Sequence, residues 1–208
     1  MSLLEANFEA RRHLARDVIM ARDPDILDDI HLPSVAASVW MRSPEPGFQD
    51  WIDGLPVDRL PEMNAVVPVH LAETAVIAAC ETAGTPAGGE QDMLAGDIGA
   101  LALMMAKILR TEHVKLRLDV SDEVMCPKFH TDNVTARLLC SYRGPGTEYV
   151  PAGAETDPGR IRQVPTGAVA LFRGRAWPDR EETGLLHRSP PTPANCSARL
   201  LLVIDPVT

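Results

Sequence analysis

Lys128-Phe129-His130-Thr131-Asp132-Asn133, followed by the apolar run Leu138-Leu139-Cys140 and then by Tyr142-Arg143-Gly144-Pro145-Gly146, is the stretch on which the fold turns. A polar tripeptide leads into a short apolar run that a Gly-Pro-Gly turn closes, the punctuation of a β-strand. Side chains two residues apart share one face of a strand, so the imidazole at 130 and the carboxylate at 132 can point at one ion, with a third ligand from elsewhere. His187 is the candidate. Two His and one carboxylate on one side of a metal leave positions open, as a mononuclear non-haem Fe(II) centre needs to take up a cosubstrate and dioxygen. Nitrogen and carboxylate donors select poorly among divalent metals, so zinc and manganese stay open as occupants.

Working outward, Val114, Leu116, Leu118 and Val120 alternate with Lys115, Arg117 and Asp119, the pattern of a half-buried strand. Further strands are expected over Thr135–Tyr142, Arg160–Val164, Ala168–Arg173, Gly184–Arg188 and Arg199–Ile204, separated by turns such as Asp157-Pro158-Gly159 and Pro165-Thr166-Gly167. Many short strands punctuated this way imply a sandwich or barrel. Upstream the period is helical. Leu3–Ala21 reads as an amphipathic helix, Pro24–Ile30 as a short one with Asp23 as N-cap, Leu71–Ala83 as a helix ended by Gly84, and Glu90–Leu109 as a long apolar helix against the back of the sheet. Val35–Met41 is a strand or a buried helical turn, and the aromatics Phe48 and Trp51 are core anchors. The expected fold is α+β: residues 1–112 form a mainly helical N-terminal layer, residues 113–208 the metal-binding core, and the two make one compact unit.

A net charge of −9 argues against a nucleic-acid binder, which must neutralise phosphates. From Lys128 to Arg199, however, ten Lys/Arg stand against seven Asp/Glu, an excess that suits a small anionic cosubstrate, although ordinary arginines on exposed strand faces would look the same. Cys80, Cys126, Cys140 and Cys196 form no Cys-x-x-Cys pair, so neither a zinc knuckle nor a disulfide scaffold is expected. Cys126, four residues before His130, is an extra ligand or a buried small hydrophobe. Met1–Arg16 lacks the features of a signal peptide, and the apolar run Ile98–Ala106 is far short of the roughly 20 residues that span a bilayer. A cytoplasmic location with no membrane partner is expected. His13, His31, His70 and His113 have no partner at ligand spacing and read as structural.

Arg199 lies twelve residues beyond His187, at the start of the apolar strand Leu200-Leu201-Leu202-Val203-Ile204. A guanidinium inside a barrel is costly unless an anion meets it, and a carboxylate is its natural bidentate partner. The order His-x-Asp, distal His and then Arg resembles the Fe(II)/2-oxoglutarate-dependent dioxygenases, and in particular their prolyl-hydroxylase-like branch. Gly144-Pro145-Gly146-Thr147-Glu148-Tyr149-Val150-Pro151 looks like that branch's Gly-Gly-x-Thr-x-Phe-Pro turn, and Pro165–Phe172 like its Pro-x-x-Gly-x-x-x-x-Phe strand. Pro145 interrupts the first motif, and the second is one residue short. This resemblance implies a C-terminal double-stranded β-helix, or jelly roll, with iron held by His130, Asp132 and His187. It also implies that Arg199 pairs the distal carboxylate of 2-oxoglutarate, with Tyr142 or Arg137 as a second contact. Over most of its length the chain also resembles the bacterial family called domain of unknown function 1826.

The function so implied is oxygenation of an unknown substrate. The alternative is a non-catalytic, cupin-like barrel that binds a metal or a small ligand. The charged run Trp177-Pro178-Asp179-Arg180-Glu181-Glu182 is expected to be a lid at the mouth or a solvated loop.

Overall fold

The chain begins in strands: β1 (Leu14–Ala15) and β2 (Asp17–Ala21) precede a 3₁₀ helix at Pro24–His31, then β3 (Val35–Trp40), α1 (Pro46–Gly54), β4 (Met63–Pro68), α2 (Ala72–Ala83) and α3 (Gly89–Leu109). The C-terminal half holds β5 (His113–Ser121), β6 (Ala136–Arg143), β7 (Glu148–Pro151), β8 (Arg162–Gln163), β9 (Val169–Arg173), β10 (Glu182–Thr183), β11 (Leu185–Arg188) and β12 (Arg199–Val207). This is a computed structural model, which describes residues 14–122, 126–178, 181–191 and 198–207.

Seven strands form one sheet in the order β2-β3-β9-β6-β12-β5-β4, and β11-β7-β8 form a second. Strand alternation sorts the large sheet into two faces. Leu116, Leu118, Leu138, Leu171, Leu200, Leu202 and Ile204 point to the helices and pack with Ile52, Val76, Leu94, Ile98, Leu101 and Met105. Each of these leucines is fully buried, a contribution of ~1.5–3 kcal/mol apiece. On the opposite face Ala37, Val39, Leu139, Ala170, Phe172 and Val203 meet Tyr149, Val164 and Leu185 of the second layer. The candidate site opens between these two sheets.

The helices expected over Pro24–Ile30, Leu71–Ala83 and Glu90–Leu109 form, the first as a 3₁₀ helix; Asp23 and Gly84 supply the expected cap and stop, and Arg110 ends α3. Two readings are corrected. Residues 14–21, expected to end an amphipathic helix, are extended: β2 pairs in parallel with β3, and β1 with β10. Partners far away in sequence outweigh the local helical spacing there; the rest of that expected helix, together with His13, lies outside the described residues. The N-terminal half is also more than a helical layer, because β2, β3 and β4 are strands of the large sheet. Val35–Trp40 resolves as a strand, buried along nearly all its length. Among the described residues no helix is long and apolar enough to cross a membrane.

Candidate metal centre

His130 and His187 face each other across an isolated antiparallel bridge, with His130 N donating to His187 O (3.0 Å) and His187 N to His130 O (2.9 Å). Residues exchanging both backbone hydrogen bonds put their side chains on the same side, and the two ring centroids are 4.7 Å apart. Asp132 joins them from a loop, not from the strand that the tripeptide leads into, which begins only at Ala136. That loop is pinned to the turn after β9: Arg175 N donates to Asp132 O (2.9 Å), Ala176 N to Val134 O (3.1 Å) and Gly174 N to Thr135 O (2.9 Å). A Cβ at Gly174 would lie 1.9 Å from Val134 O and 3.0 Å from Asp132 O, so only glycine permits this approach.

The three side chains converge, each with a ligand atom within 4.8 Å of the others. His187 Nε2 is 2.9 Å from Asp132 Oδ2, and His130 Nε2 is 3.6 Å from Asp132 Oδ1. His130 Nδ1 lies 2.9 Å from Lys128 O. A carbonyl only accepts, so Nδ1 carries the proton and a neutral His130 presents Nε2 as a lone pair toward Asp132. Asp132 Oδ2 is buried and has no hydrogen-bond partner, although His187 Nε2 lies 2.9 Å away. Burial pushes the Asp132 carboxyl up, but His187, Arg137 and His130 outweigh that and hold it below the usual carboxylate range. Two imidazole nitrogens and an orphaned carboxylate oxygen fit a divalent cation.

A cavity of about 80 Å³ opens beside the trio and reaches Arg199. Arg199 is buried at the start of β12, its Nε donating to Pro145 O (2.9 Å) and its Nη2 to Ser141 Oγ (3.0 Å) and Thr147 Oγ1 (3.1 Å). Arg117, Arg137 and Arg188 line the same cavity, with the apolar Leu139, Leu201 and Val203. Arg188 is tied to Glu148 (2.7 Å) and lies over the Phe129 ring. A Cβ at Gly146 would sit 1.7 Å from Val164 O, so the Gly144–Gly146 turn that carries Pro145 to Arg199 also depends on a missing side chain.

Of the two expected cosubstrate contacts, Tyr142 lies elsewhere and Arg137 is already engaged by carboxylates. Tyr142 faces the helices, where its hydroxyl donates to Asp97 Oδ2 (2.5 Å) beside the bidentate Arg42–Asp97 pair. Burial, with Asp97 and Cys140 alongside, pushes that phenol well up. Strand parity is the reason: Arg137, Leu139 and Ser141 share one face of β6, while Leu138, Cys140 and Tyr142 share the other. Arg137 does face the cavity, but its side chain spans two carboxylates: Nη1 donates to Asp132 Oδ1, while Nε and Nη2 grip Asp205 at 2.7 Å each. Ser141, Thr147 and Asp205 are the residues that reading the sequence missed. Parity counted from Arg137 along β6, and from Arg199 along β12, points to the first and the last.

Cys126 is exposed and lines the cavity, but it is not among the converging ligands. Trp177 is buried against Arg173, and Glu181 accepts from Arg173 and from Ser34 N, so the described part of the charged run is anchored away from the cavity. Asp179 and Arg180 lie outside the described residues.

No curated protein matches the sequence. The dioxygenase for auxin oxidation 1 from Arabidopsis thaliana, solved as its 2-oxoglutarate complex, superposes with a TM-score of 0.54 over 91% of each chain at 10% identity. A rice dioxygenase for auxin oxidation gives 0.46 over 83% of this chain and 74% of that one, at 16% identity. A prolyl-4-hydroxylase from Pseudomonas putida gives 0.41 over 87% and 90%, at 14% identity. At such identities the likeness to the first is one of fold, a mixed α/β architecture with a large sheet and helices. Sequence itself identifies the family: the model described as Protein of unknown function (DUF1826) matches residues 21–205, and the chain belongs to that family.

Proposed function

We propose that this chain is an Fe(II)/2-oxoglutarate-dependent oxygenase whose two facing sheets form a double-stranded β-helix. His130, Asp132 and His187 would hold the metal, and Arg199 the distal carboxylate of 2-oxoglutarate. The observation that carries the reading is the buried Asp132 Oδ2, without a hydrogen-bond partner, beside the Nε2 of His187, which with His130 lines a cavity that also contains a buried guanidinium. A fold shared with a protein solved in complex with 2-oxoglutarate supports it.

The chemistry supplied by iron and 2-oxoglutarate, when bound, is oxidative: dioxygen is reduced as 2-oxoglutarate is decarboxylated to succinate, and a substrate C–H bond is hydroxylated. The chain's own residues bind, orient and exclude water. Arg199 is oriented by Ser141, Thr147 and Pro145 before any anion arrives, so little ordering is left to be done on binding. Lys128 O fixes the His130 tautomer. Leu139, Leu201 and Val203 give the cavity an apolar wall, which strengthens charge–charge contacts inside it.

The test is succinate release from 2-oxoglutarate by iron-loaded protein. The reading predicts release by the wild type and none by His130→Ala or Arg199→Ala. Metal binding without 2-oxoglutarate binding would leave a metal-binding barrel instead.

A further inference from the structure

We infer that Arg137 is a positioning residue which, held by Asp205, keeps Asp132 a one-oxygen ligand. The inference rests on the metal-centre reading above. Arg137 on β6 and Asp205 on β12 lie one step beyond the cross-strand pair Leu138 and Ile204, on the cavity face of the sheet. Both carboxylate oxygens of Asp205 are engaged, one by Nε and one by Nη2, at 2.7 Å each. A planar guanidinium gripped on one edge has its remaining nitrogen fixed in direction. That nitrogen, Nη1, donates to Asp132 Oδ1.

The consequence lies in what remains. With Oδ1 taken, only Oδ2 is available to an ion at the two imidazoles, and Oδ2 is the atom that is buried without a hydrogen bond. A carboxylate free to turn can give both oxygens to one ion and fill one more position. On an octahedral ion that removes a position needed by a chelating 2-oxo acid together with dioxygen. Arg137 therefore sets how many positions stay open by acting through Asp132 and not as a ligand itself. Stability alone gives weak reason for the arrangement, since buried ion pairs roughly break even against apolar packing.

The experiment uses Co(II) as a spectroscopic probe in the full chain. The double variant Arg137→Gln/Asp205→Asn removes both charges of the pair, so that Asp205 is not left as an uncompensated buried carboxylate. We expect it to melt near the wild-type temperature, to bind Co(II) ~10–100-fold more weakly, and to show an altered Co(II) visible spectrum. Arg137→Lys is the second variant. One ammonium cannot hold Asp205 at two oxygens and Asp132 as well, so the same loss and the same spectral change are expected even if the double variant fails to fold. Wild-type Co(II) affinity and spectrum in either folded variant would overturn the inference. Failure of the wild type to bind Co(II) would instead remove the metal-centre reading, and this inference with it.

Discussion

His130 and His187 exchange two main-chain hydrogen bonds, of 3.0 and 2.9 Å, in an isolated bridge that ties the segment at 130 to β11 of the second sheet. Their imidazoles are therefore oriented as one unit, and Asp132 is brought to them by a loop held to the turn after β9.

Removing either imidazole should abolish the stabilisation that a bound ion provides. A divalent ion at about one hundred times its Kd adds ~2.7 kcal/mol to a protein that binds it only when folded. Thermal melts with and without Fe(II) or Mn(II) should show this gain in the wild type and lose it in His187→Ala and His130→Ala. An equal gain in the variants would place the ion elsewhere.

Arg199→Lys keeps the charge but loses the fork that Ser141, Thr147 and Pro145 aim. A hydrogen bond to a charged group contributes ~1.5–3 kcal/mol, so the Kd for 2-oxoglutarate should rise ~10–100-fold with metal affinity unchanged. Calorimetric titration of the metal-loaded variant checks both.

Tyr142→Phe should leave 2-oxoglutarate binding unaltered, because the phenol points to Asp97 across the sheet. It should instead lower stability by ~1–3 kcal/mol, the cost of losing the hydrogen bond from a buried phenol to a partly buried carboxylate. A urea melt and a binding titration separate the two effects.

Gly174→Ala adds a methyl 1.9 Å from Val134 O and 3.0 Å from Asp132 O. The loop must shift, so the expected result is a folded but less stable protein with weakened metal binding, read from melts and Co(II) titration. Unchanged metal affinity would mean that the loop's position does not set the ligand.

The acid limb of stability follows from Asp132, whose carboxyl is held below its unfolded value of ~3.9 by His187, Arg137 and His130 against the opposing effect of burial. A depressed folded pKa contributes stability above the unfolded value, and that contribution is lost as pH falls through the folded one. Metal-free Asp132→Asn should therefore lose less stability than the wild type below about pH 4, measured by urea melts across pH.

Much of this was legible in the sequence, for local reasons. Val114–Val120 alternates with period two and α3 carries its apolar residues at helical spacing, so both elements declare themselves. The convergence of His130, Asp132 and His187 was legible from residue type and order. Other parts depended on contacts distant in sequence. The extended residues at β2 follow from parallel pairing with β3, and β7 follows from its antiparallel register with β11. Tyr142 was misplaced although the information was present: its position is one residue out of step with Arg137, and a strand cannot send both to one face. The clamp on Asp132 needed the β6–β12 register, because nothing within either strand relates Arg137 to Asp205.

The most direct measurement is an anaerobic calorimetric titration of 2-oxoglutarate into protein carrying one equivalent of Fe(II). The account predicts saturable, one-to-one binding that requires the metal, disappears in His187→Ala and weakens in Arg199→Lys. Binding that ignores the metal, or no binding by the iron-loaded wild type, would contradict it.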